Sequence, residues 1–273
     1  MAGTLYIVAT PIGNRADFTP RAIETLRGVS LIVAEDTRHS APLLAWAGIS
    51  TSVRSYHAHN EAEQAPRLVE RLLEGNDIAL ISDAGTPLVS DPGARLVDAA
   101  IAAGVTVVPI PGASAIMTAL VASGLPATAF TFVGFLPRAA TERAASARAA
   151  VESPHTVIMY EAPPRVSDLL ETLAAAGGAE RRAVVARELT KLHEEFRRGT
   201  VAELAAYYGA TPPRGEVVIL LDGAPPVVPD QEAAARRAEA LRAGGTSVRD
   251  TVRHLQEEFG VSRNEAYRLA QDT

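Results

Sequence analysis

The sequence predicts an α/β protein with two α/β domains, a cleft between them and a small helical domain at the C-terminus. Three observations lead to this prediction. Apolar runs of strand length alternate with amphipathic stretches of helical spacing, 47% of the 273 residues are apolar, and a proline-rich segment follows the last apolar run. Because alternating strands and helices form largely parallel sheets, we expect the sheets of both domains to be largely parallel.

The individual elements follow from the apolar periodicity. Eight apolar runs are predicted strands, at 5–9, 31–34, 78–82, 105–110, 131–133, 156–160, 183–187 and 216–221. The amphipathic segments between them are predicted helices, at 20–27, 61–74, 94–103, 164–176 and 201–208, and a further helix begins at Ala113. We place the first domain at residues 1–128 and the second at residues 129–222.

The C-terminal part begins with the segment GAPPVVPD at 223–230, which we predict to be a linker because its prolines cannot continue a helix or a strand. Residues 231–273 are the predicted helical appendage. Two residue pairs in it have the spacing of helix-starting capping boxes, Ser247 with Asp250 and Ser262 with Glu265. This pattern indicates either a helix-turn-helix or a helical hairpin packed on the rest of the protein. The near-neutral charge of the segment is poorly suited to gripping a phosphate backbone alone.

Composition excludes several classes of function. The chain has no cysteine, which rules out disulfides, thiolate nucleophiles and Cys-ligated metal centres, and no metal site is predicted. The net charge of −6 argues against a protein whose whole surface binds nucleic acid, although a local basic face is compatible with it. The N-terminus lacks a signal-peptide pattern and no apolar run reaches the length of a membrane span. We therefore expect a cytoplasmic protein without a membrane partner.

Three loops after predicted strands of the first domain concentrate glycine, proline and small polar residues. They are TPIGN at 10–14, SDAGTPLVSDPG at 82–93 and PIPGASA at 109–115. Neither the dinucleotide fingerprint GxGxxG nor the phosphate loop GxxxxGK[ST] is present. Long loops of this kind are usually functional and expose backbone amides and carbonyls. Together they predict a polar small molecule held by main-chain contacts at the carboxyl ends of the strands.

These loops belong to a longer series of motifs. In chain order the series is TPIGN, AEDTR (34–38), SYHAHNE (55–61), SDAGTPLVSDPG, PIPGASA, GFLPR (134–138), YEAPPR (160–165), RELTKLHEE (187–195) and GEVVIL (215–220). It resembles the ordered motifs of the ribosomal small-subunit methyltransferase I family, in the tetrapyrrole-methylase superfamily, and covers essentially the whole chain. Tetrapyrrole-modifying members of the superfamily carry GPG and GDP where this chain has PIG at 11–13 and GTP at 85–87, which favours the ribosomal branch.

The resemblance implies the tetrapyrrole-methylase fold, a homodimer, and S-adenosylmethionine as methyl donor. It implies as acceptor the ribose 2′-hydroxyl of a decoding-centre cytidine of 16S ribosomal RNA in the 30S subunit. The cofactor residues that it implies are on the three loops and on two segments of the second domain: Pro11, Asp83, Thr86, Pro87, Val89, Ser90, Ser114, Ala115, Tyr160, Glu161, Ala162, Gly215 and Glu216.

The polar motifs supply candidates for catalysis and for RNA binding. A ribose hydroxyl is a poor nucleophile while protonated, so a base, or a cation that favours the alkoxide, should assist the transfer. The candidates are Asp36, His57 and Lys191, and burial could lower the pKa of Lys191 until it accepts a proton. Singly, each is more often a solvated or ion-paired group. The residues expected to contact the RNA are Arg38, Asn60, Arg138 and Arg165.

Two other interpretations stay open. One is methyl transfer by the same fold to a corrinoid or another tetrapyrrole, or to a protein in diphthine formation, because one architecture serves several acceptors. The other is a nucleic-acid-binding regulator built on the C-terminal helix-turn-helix, with the α/β body acting as a ligand sensor.

Overall fold

The computed structural model describes residues 1–225 and 230–271 and divides into two compact units, Met1–Ala224 and Pro225–Thr273. The first unit contains a pair of five-stranded sheets with helices packed on both faces of each, which confirms the predicted α/β class. The predicted linker at 223–230 includes residues 226–229, which lie outside the described residues. The domain boundaries drawn at 128, 222 and 230 stay predictions.

The first sheet is entirely parallel and has the strand order β3-β2-β4-β1-β5. Its strands are β1 (Thr4–Val8), β2 (Leu31–Ala34), β3 (Val53–Ser55), β4 (Ile78–Ile81) and β5 (Thr106–Ile110). Helices α1 (Pro20–Gly28) and α2 (Thr37–Trp46) cover one face, and α3 (Glu61–Leu73) and α4 (Ala94–Ala102) cover the other. Because helices cover both faces, every residue of β2 and β4 is buried.

The second sheet is mixed and has the strand order β6-β7-β10-β8-β9. Its strands are β6 (Phe130–Phe135), β7 (Thr156–Glu161), β8 (Arg182–Arg187), β9 (Glu195–Thr200) and β10 (Val217–Leu221). Among the described strands of this sheet only β6 and β7 are parallel neighbours, so the prediction of a largely parallel second sheet is wrong. In this second sheet, the strand that the sequence did not predict is β9, EFRRGT, which forms a hairpin with β8. As an edge strand it needs no continuous apolar run.

The helices that pack on the second sheet come from both sides of the domain boundary predicted at residue 128. The apolar helix α5 (Ala115–Ser123) follows the last strand of the first sheet but packs on one face of the second, where Ile116 and Leu120 meet Ile158 and Leu220. The opposite face is covered by α6 (Ala140–Glu152), α7 (Val166–Leu173) and α8 (Val201–Ala210). The helix α5 therefore ties the two sheets together.

The C-terminal unit contains the helices α9 (Gln231–Ala243), α10 (Val248–Phe259) and α11 (Arg263–Gln271), which share a small apolar core. The hydroxyls of Ser247 and Ser262 each accept the backbone amide three residues on, at 3.2 Å. These contacts confirm the predicted helix starts. Of the helices in the described ranges, none combines the length and the apolar character that crossing a bilayer requires.

Candidate functional site

The three loops singled out by composition follow adjacent strands and meet at the carboxyl edge of the first sheet. Val8, the last residue of β1, pairs with Ile81 at the end of β4 and with Ile110 at the end of β5. Neighbouring strands lie about 4.8 Å apart, so the three loops start within about 10 Å of one another. The parallel topology thus brings together loops that are far apart in sequence.

Hydrogen bonds connect these loops to one another. Thr10 and Gly85 exchange two backbone hydrogen bonds of 2.9 and 3.0 Å, and the Thr86 hydroxyl donates to the Ala113 carbonyl at 3.2 Å. Gly85 has a φ of 83°, and a Cβ there would lie 3.1 Å from the side chain of Ile12. The loops therefore form one continuous wall that needs glycine at this junction.

The loop at 82–93 holds its backbone in an unusual conformation. Leu88 and Ser90 adopt φ values of 72° and 68°, a left-handed conformation that costs about 1–3 kcal/mol for each non-glycine residue. The amides of Leu88, Val89 and Ser90 donate no hydrogen bond to any atom of the described residues. The hydrogen-bonding capacity of these three amides is thus unused within the described residues.

A cavity of about 350 Å³, the main cavity, opens between this wall and the second sheet. Ten residues predicted to hold the cofactor line it: Thr86, Val89, Ser90, Ser114, Ala115, Tyr160, Glu161, Ala162, Gly215 and Glu216. Apolar and aromatic side chains that the sequence did not single out line it as well, among them Ile12, Phe135 and Leu189. The cavity is thus bordered by the loops of the first sheet on one side and by residues of the second sheet and its loops on the other.

A second cavity of about 260 Å³ adjoins the main one and shares Ile12, Ala84 and Glu216 with it. Pro11 and Asp83, predicted to hold the cofactor, line this second cavity, and so does the predicted catalytic residue Lys191. Other side chains on its wall are Arg15 and His39. Pro87 is buried and lines neither cavity, so its side chain is not presented to the cleft.

The side chain of Glu161 is fully buried and is engaged within the second lobe, the part of the first unit built on the second sheet. It pairs with Arg143 at 3.2 Å and with Arg165 at 3.6 Å, and it accepts the amide of Ala162 at 2.9 Å. Its carboxylate is therefore a structural anion. Arg165, predicted to contact RNA, is one of its partners, and the buried Arg143 was not predicted.

Lys191 bridges two carboxylates at the mouth of the second cavity. Its ammonium group donates to Glu188 at 2.9 Å and to Glu216 at 2.8 Å. Burial lowers the pKa of Lys191, but the hydrogen bonds and charges of Glu216 and Glu188 outweigh burial and raise the pKa above its ordinary value. These contacts match the alternative that the sequence left open, an ion-paired lysine, better than they match a lysine whose pKa burial lowers. The stem of Lys191 packs on Gly13, where a Cβ would lie 2.5 Å from the lysine Cγ.

The other two catalytic candidates lie outside both cavities. Asp36 caps the N-terminus of α2 and pairs with Arg38 at 3.0 Å, and the hydrogen bond from Arg38 is the largest of the influences that lower the pKa of Asp36 to about 2. So low a pKa makes this carboxylate a weak base. The amide of His57 donates to the Asn60 side chain at 2.9 Å, and this contact braces the turn between β3 and α3.

The predicted RNA residues differ in their local partners. Arg38 is exposed and paired with Asp36, Arg138 is exposed, and Arg165 pairs with Glu161. Asn60 donates to the Ser55 carbonyl at 3.1 Å and lines a third cavity on the outer side of the first lobe, the part built on the first sheet. Of the four, only Asn60 lines one of these three cavities, so their contact with RNA stays a prediction.

Asp91 is a cavity residue that the sequence interpretation missed. It lines the main cavity. Burial is the largest influence that raises the pKa of Asp91, and the nearby charges of Glu35 and Asp83 add to it. A hydrogen bond from Ser82 lowers the pKa by less, so the pKa rises to about 6. Burial is also the largest influence raising the pKa of Glu35. Asp91 stands in the loop already identified as functional. Its acidic neighbour Glu35 comes from another strand end, which only the fold brings near.

Comparison with known proteins identifies the family to which this chain belongs. Residues 4–205 match the family of tetrapyrrole (corrin/porphyrin) methylases. The ribosomal RNA small subunit methyltransferase I of Synechocystis sp. is 44% identical, over 98% of this chain and 97% of its own length. The protein of the same name from Pseudomonas aeruginosa is 50% identical, over 81% of this chain and 79% of its own.

Solved structures share the fold at low identity. The uroporphyrin-III C-methyltransferase of Thermus thermophilus, complexed with S-adenyl homocysteine, has a TM-score of 0.58 at 19% identity, covering 81% of this chain and 97% of that one. A diphthine synthase has a TM-score of 0.60 at 16% identity, covering 81% and 90%. The resemblance drawn from the motifs is confirmed, and the chain belongs to the ribosomal RNA small subunit methyltransferase I family of the tetrapyrrole methylases.

Proposed function

We propose that this protein transfers a methyl group from S-adenosylmethionine to the ribose 2′-hydroxyl of a decoding-centre cytidine in 16S ribosomal RNA. The observation that carries this proposal is the main cavity, whose lining includes Val89 and Ser90 with their unpartnered amides, in a chain whose relatives are named ribosomal RNA small subunit methyltransferase I. The second cavity beside it offers a place for the acceptor nucleoside.

The residues of the main cavity suit S-adenosylmethionine. Its volume of about 350 Å³ falls in the range of small-molecule pockets. The free amides of Val89 and Ser90 and the N-terminus of α5 suit a carboxylate and ribose hydroxyls. Phe135 and Leu189 suit the faces of an adenine ring. Burial, followed by the charges of Asp91 and Glu216, raises the pKa of Tyr160 to about 12, so its hydroxyl remains a hydrogen-bond donor.

S-adenosylmethionine, when bound, supplies a methyl group on a positively charged sulfur. The protein then has to align the acceptor oxygen with that group, and orientation alone contributes about 7–11 kcal/mol in favourable cases. We assign Lys191 as the cation that favours the ribose alkoxide, because it lines the second cavity and stays protonated. Asp91, whose pKa of about 6 lies near neutrality, is our candidate for the proton acceptor.

We further propose that the protein acts as a homodimer on the 30S subunit in the cytoplasm. The edge strand β6 supports a dimer, because Phe130 and Val133 on it are 38% and 44% exposed. Apolar side chains on an exposed sheet edge are usually covered by a partner.

The test is incubation of the purified protein with methyl-labelled S-adenosylmethionine and 30S subunits from a strain that lacks this modification. We expect label in 16S RNA and 2′-O-methylcytidine among its digested nucleosides. Label on a base, on a ribosomal protein, in an added corrinoid, or on nothing at all would contradict the proposal.

A further inference from the structure

The third cavity, of about 320 Å³, lies between the edge strand β3 and helix α3, and we name it the outer groove. Its lining contains the arginines Arg54, Arg67 and Arg71, with neutral polar side chains and one leucine between them. No carboxylate lines it, and none of its residues borders the main or the second cavity. The assigned chemistry leaves this groove without a role.

Helical spacing makes the groove a continuous stripe. Asn60, Gln64, Arg67 and Arg71 follow one another at intervals of four, three and four residues, which places them on one face of α3. At 1.5 Å per residue this stripe is about 16 Å long. Arg54, on β3, lines the same groove from the strand side.

The arginines of the groove are poorly neutralised. Within the described ranges, Arg54 and Arg71 have no carboxylate oxygen within 4.0 Å. Arg67 pairs with Glu63 at 3.0 Å, but both side chains are 65% exposed, and such a pair contributes about 0–1 kcal/mol. Three guanidinium groups around one groove repel each other, and in a chain of net charge −6 their natural complement is an external anion.

The position of the groove connects it with the cleft. Ser55, at the end of β3, pairs with Ala34 on β2, and Ala34 pairs with Ile81 on β4. The groove therefore starts about two strand spacings, or about 10 Å, from the point where the loop at 82–93 begins. A chain molecule that enters the cleft at this edge can continue over β2 and β3 and along α3.

We propose that the outer groove binds backbone phosphates of the RNA substrate, at nucleotides distant from the methylated one. This inference rests on the proposed function for the identity of the substrate. Guanidinium groups bind phosphate oxygens in a planar, bidentate manner, and contacts of this kind fix the register of a nucleic acid without reading its sequence. An acidic protein thereby acquires a local basic face for RNA.

The experiment compares the double variant Arg54→Ala/Arg71→Ala with the charge-matched control Arg21→Ala/Arg148→Ala. Arg21 and Arg148 are exposed on α1 and α6 and line none of the three cavities. Binding of a fluorescein-labelled single-stranded RNA and of 30S subunits is measured at several salt concentrations. Affinity for S-adenosylmethionine is measured by calorimetry.

For the groove variant we expect RNA binding about 10-fold weaker, with the slope of log K against log salt smaller by about 1.4–1.8 for two lost phosphate contacts. The KM for 30S subunits should rise while kcat and the affinity for S-adenosylmethionine stay unchanged. The control variant should bind RNA more tightly than the groove variant at every salt concentration.

The outcomes separate the two proposals. If the parent protein labels 16S RNA and the groove variant binds RNA with the parent's affinity and salt slope, the groove proposal is overturned and the proposed function stands. If the parent leaves 16S RNA unlabelled but the groove variant alone loses RNA binding, the groove proposal stands and the proposed function fails. Displacement of RNA by low-millimolar inorganic phosphate at constant ionic strength would overturn the RNA assignment in favour of a small anion.

Discussion

The two lobes border the same cavity by different means. In the first lobe, parallel strands bring several loops to one edge, and the loop at 82–93 offers backbone amides held in place by left-handed residues such as Leu88 and Ser90. In the second lobe, largely antiparallel strands bring fewer ends to the cleft, and charged side chains are held there by ion pairs, such as Lys191 with Glu216. We infer that the first lobe depends on backbone conformation and the second on charge pairing.

The largest expected effect is on stability, and it comes from a substitution that removes a buried charge from the second lobe. Arg143→Met leaves the fully buried Glu161 with the Ala162 amide and, among the cations of the described residues, with the more distant, partly exposed Arg165. Removing one partner of a buried ion pair costs about 3–5 kcal/mol, so the free energy of unfolding should fall by about that amount. Urea denaturation measures it. The control is Arg148→Met, exposed on the same helix, for which a change below about 0.5 kcal/mol is expected. Equal stabilities of the two variants would contradict the charge dependence of this lobe.

The next prediction concerns the backbone wall of the first lobe. Thr86 lines the main cavity and its hydroxyl holds the Ala113 carbonyl, so Thr86→Trp should fill the cavity and part the loops. We expect S-adenosylmethionine to bind at least 100-fold more weakly, about 2.7 kcal/mol, by calorimetry, with the circular dichroism spectrum retained. Thr141→Trp, at an exposed site on α6, is the control. Unchanged affinity in Thr86→Trp would separate the main cavity from cofactor binding.

A smaller effect is expected at the charged mouth of the second cavity. Lys191→Met removes the cation that joins Glu188 and Glu216 and leaves two carboxylates to repel each other. We expect kcat/KM for methylation to fall about 10-fold, which corresponds to about 1.4 kcal/mol. Lys191→Arg keeps the charge and should retain most of the activity. If kcat/KM falls equally in the methionine and arginine variants, positive charge is not what Lys191 contributes.

The smallest predicted effect is the pH dependence of stability at Asp91. Because its pKa is raised from 3.8 to about 6, the folded protein binds a proton that the unfolded chain releases, and this contribution to stability is lost as the pH rises from about 4 to about 6. Asp91 is partly exposed, so we expect Asp91→Asn to add only about 1 kcal/mol of stability at pH 8, and little at pH 4.

Thermal unfolding at the two pH values tests this expectation, with a rise in Tm of about 2–4 °C for Asp91→Asn at pH 8. Asp98→Asn, at an exposed site on α4, should give no such difference. A Tm gain for Asp91→Asn that is equal at both pH values would contradict a raised pKa.

The sequence predicted elements best where burial forces a pattern on the residues. The strand β2 is predicted at its observed bounds, because all four of its residues face the core and must be apolar. The short strand β3, VRS, and the edge strand β9, EFRRGT, have exposed sides and carry no such pattern. The alanine-rich helix α6 lacks the apolar periodicity that marked the other helices.

In the candidate site, too, some features could be predicted from the sequence and others could not. Composition identified the loop at 82–93, and position after an apolar strand placed it at the carboxyl edge of a sheet. Which of its side chains enter the cavity could not be read from the chain: Thr86 and Asp91 line it, whereas the neighbouring Pro87 is buried. Between Thr86 and Asp91 the backbone turns at the left-handed residues Leu88 and Ser90, and because these are not glycines, the sequence does not mark the turns.

By itself the sequence determined the α/β class, the family and the loops that border the cleft, because apolar periodicity and local motifs are properties of neighbouring residues. Only the tertiary structure decided the antiparallel pairing of the second sheet, the two carboxylate partners of Lys191 and the outer groove. Each of these depends on residues that are distant in the chain. Lys191 meets Glu216 across 25 residues, and Arg54 joins α3 only because β3 is the edge strand.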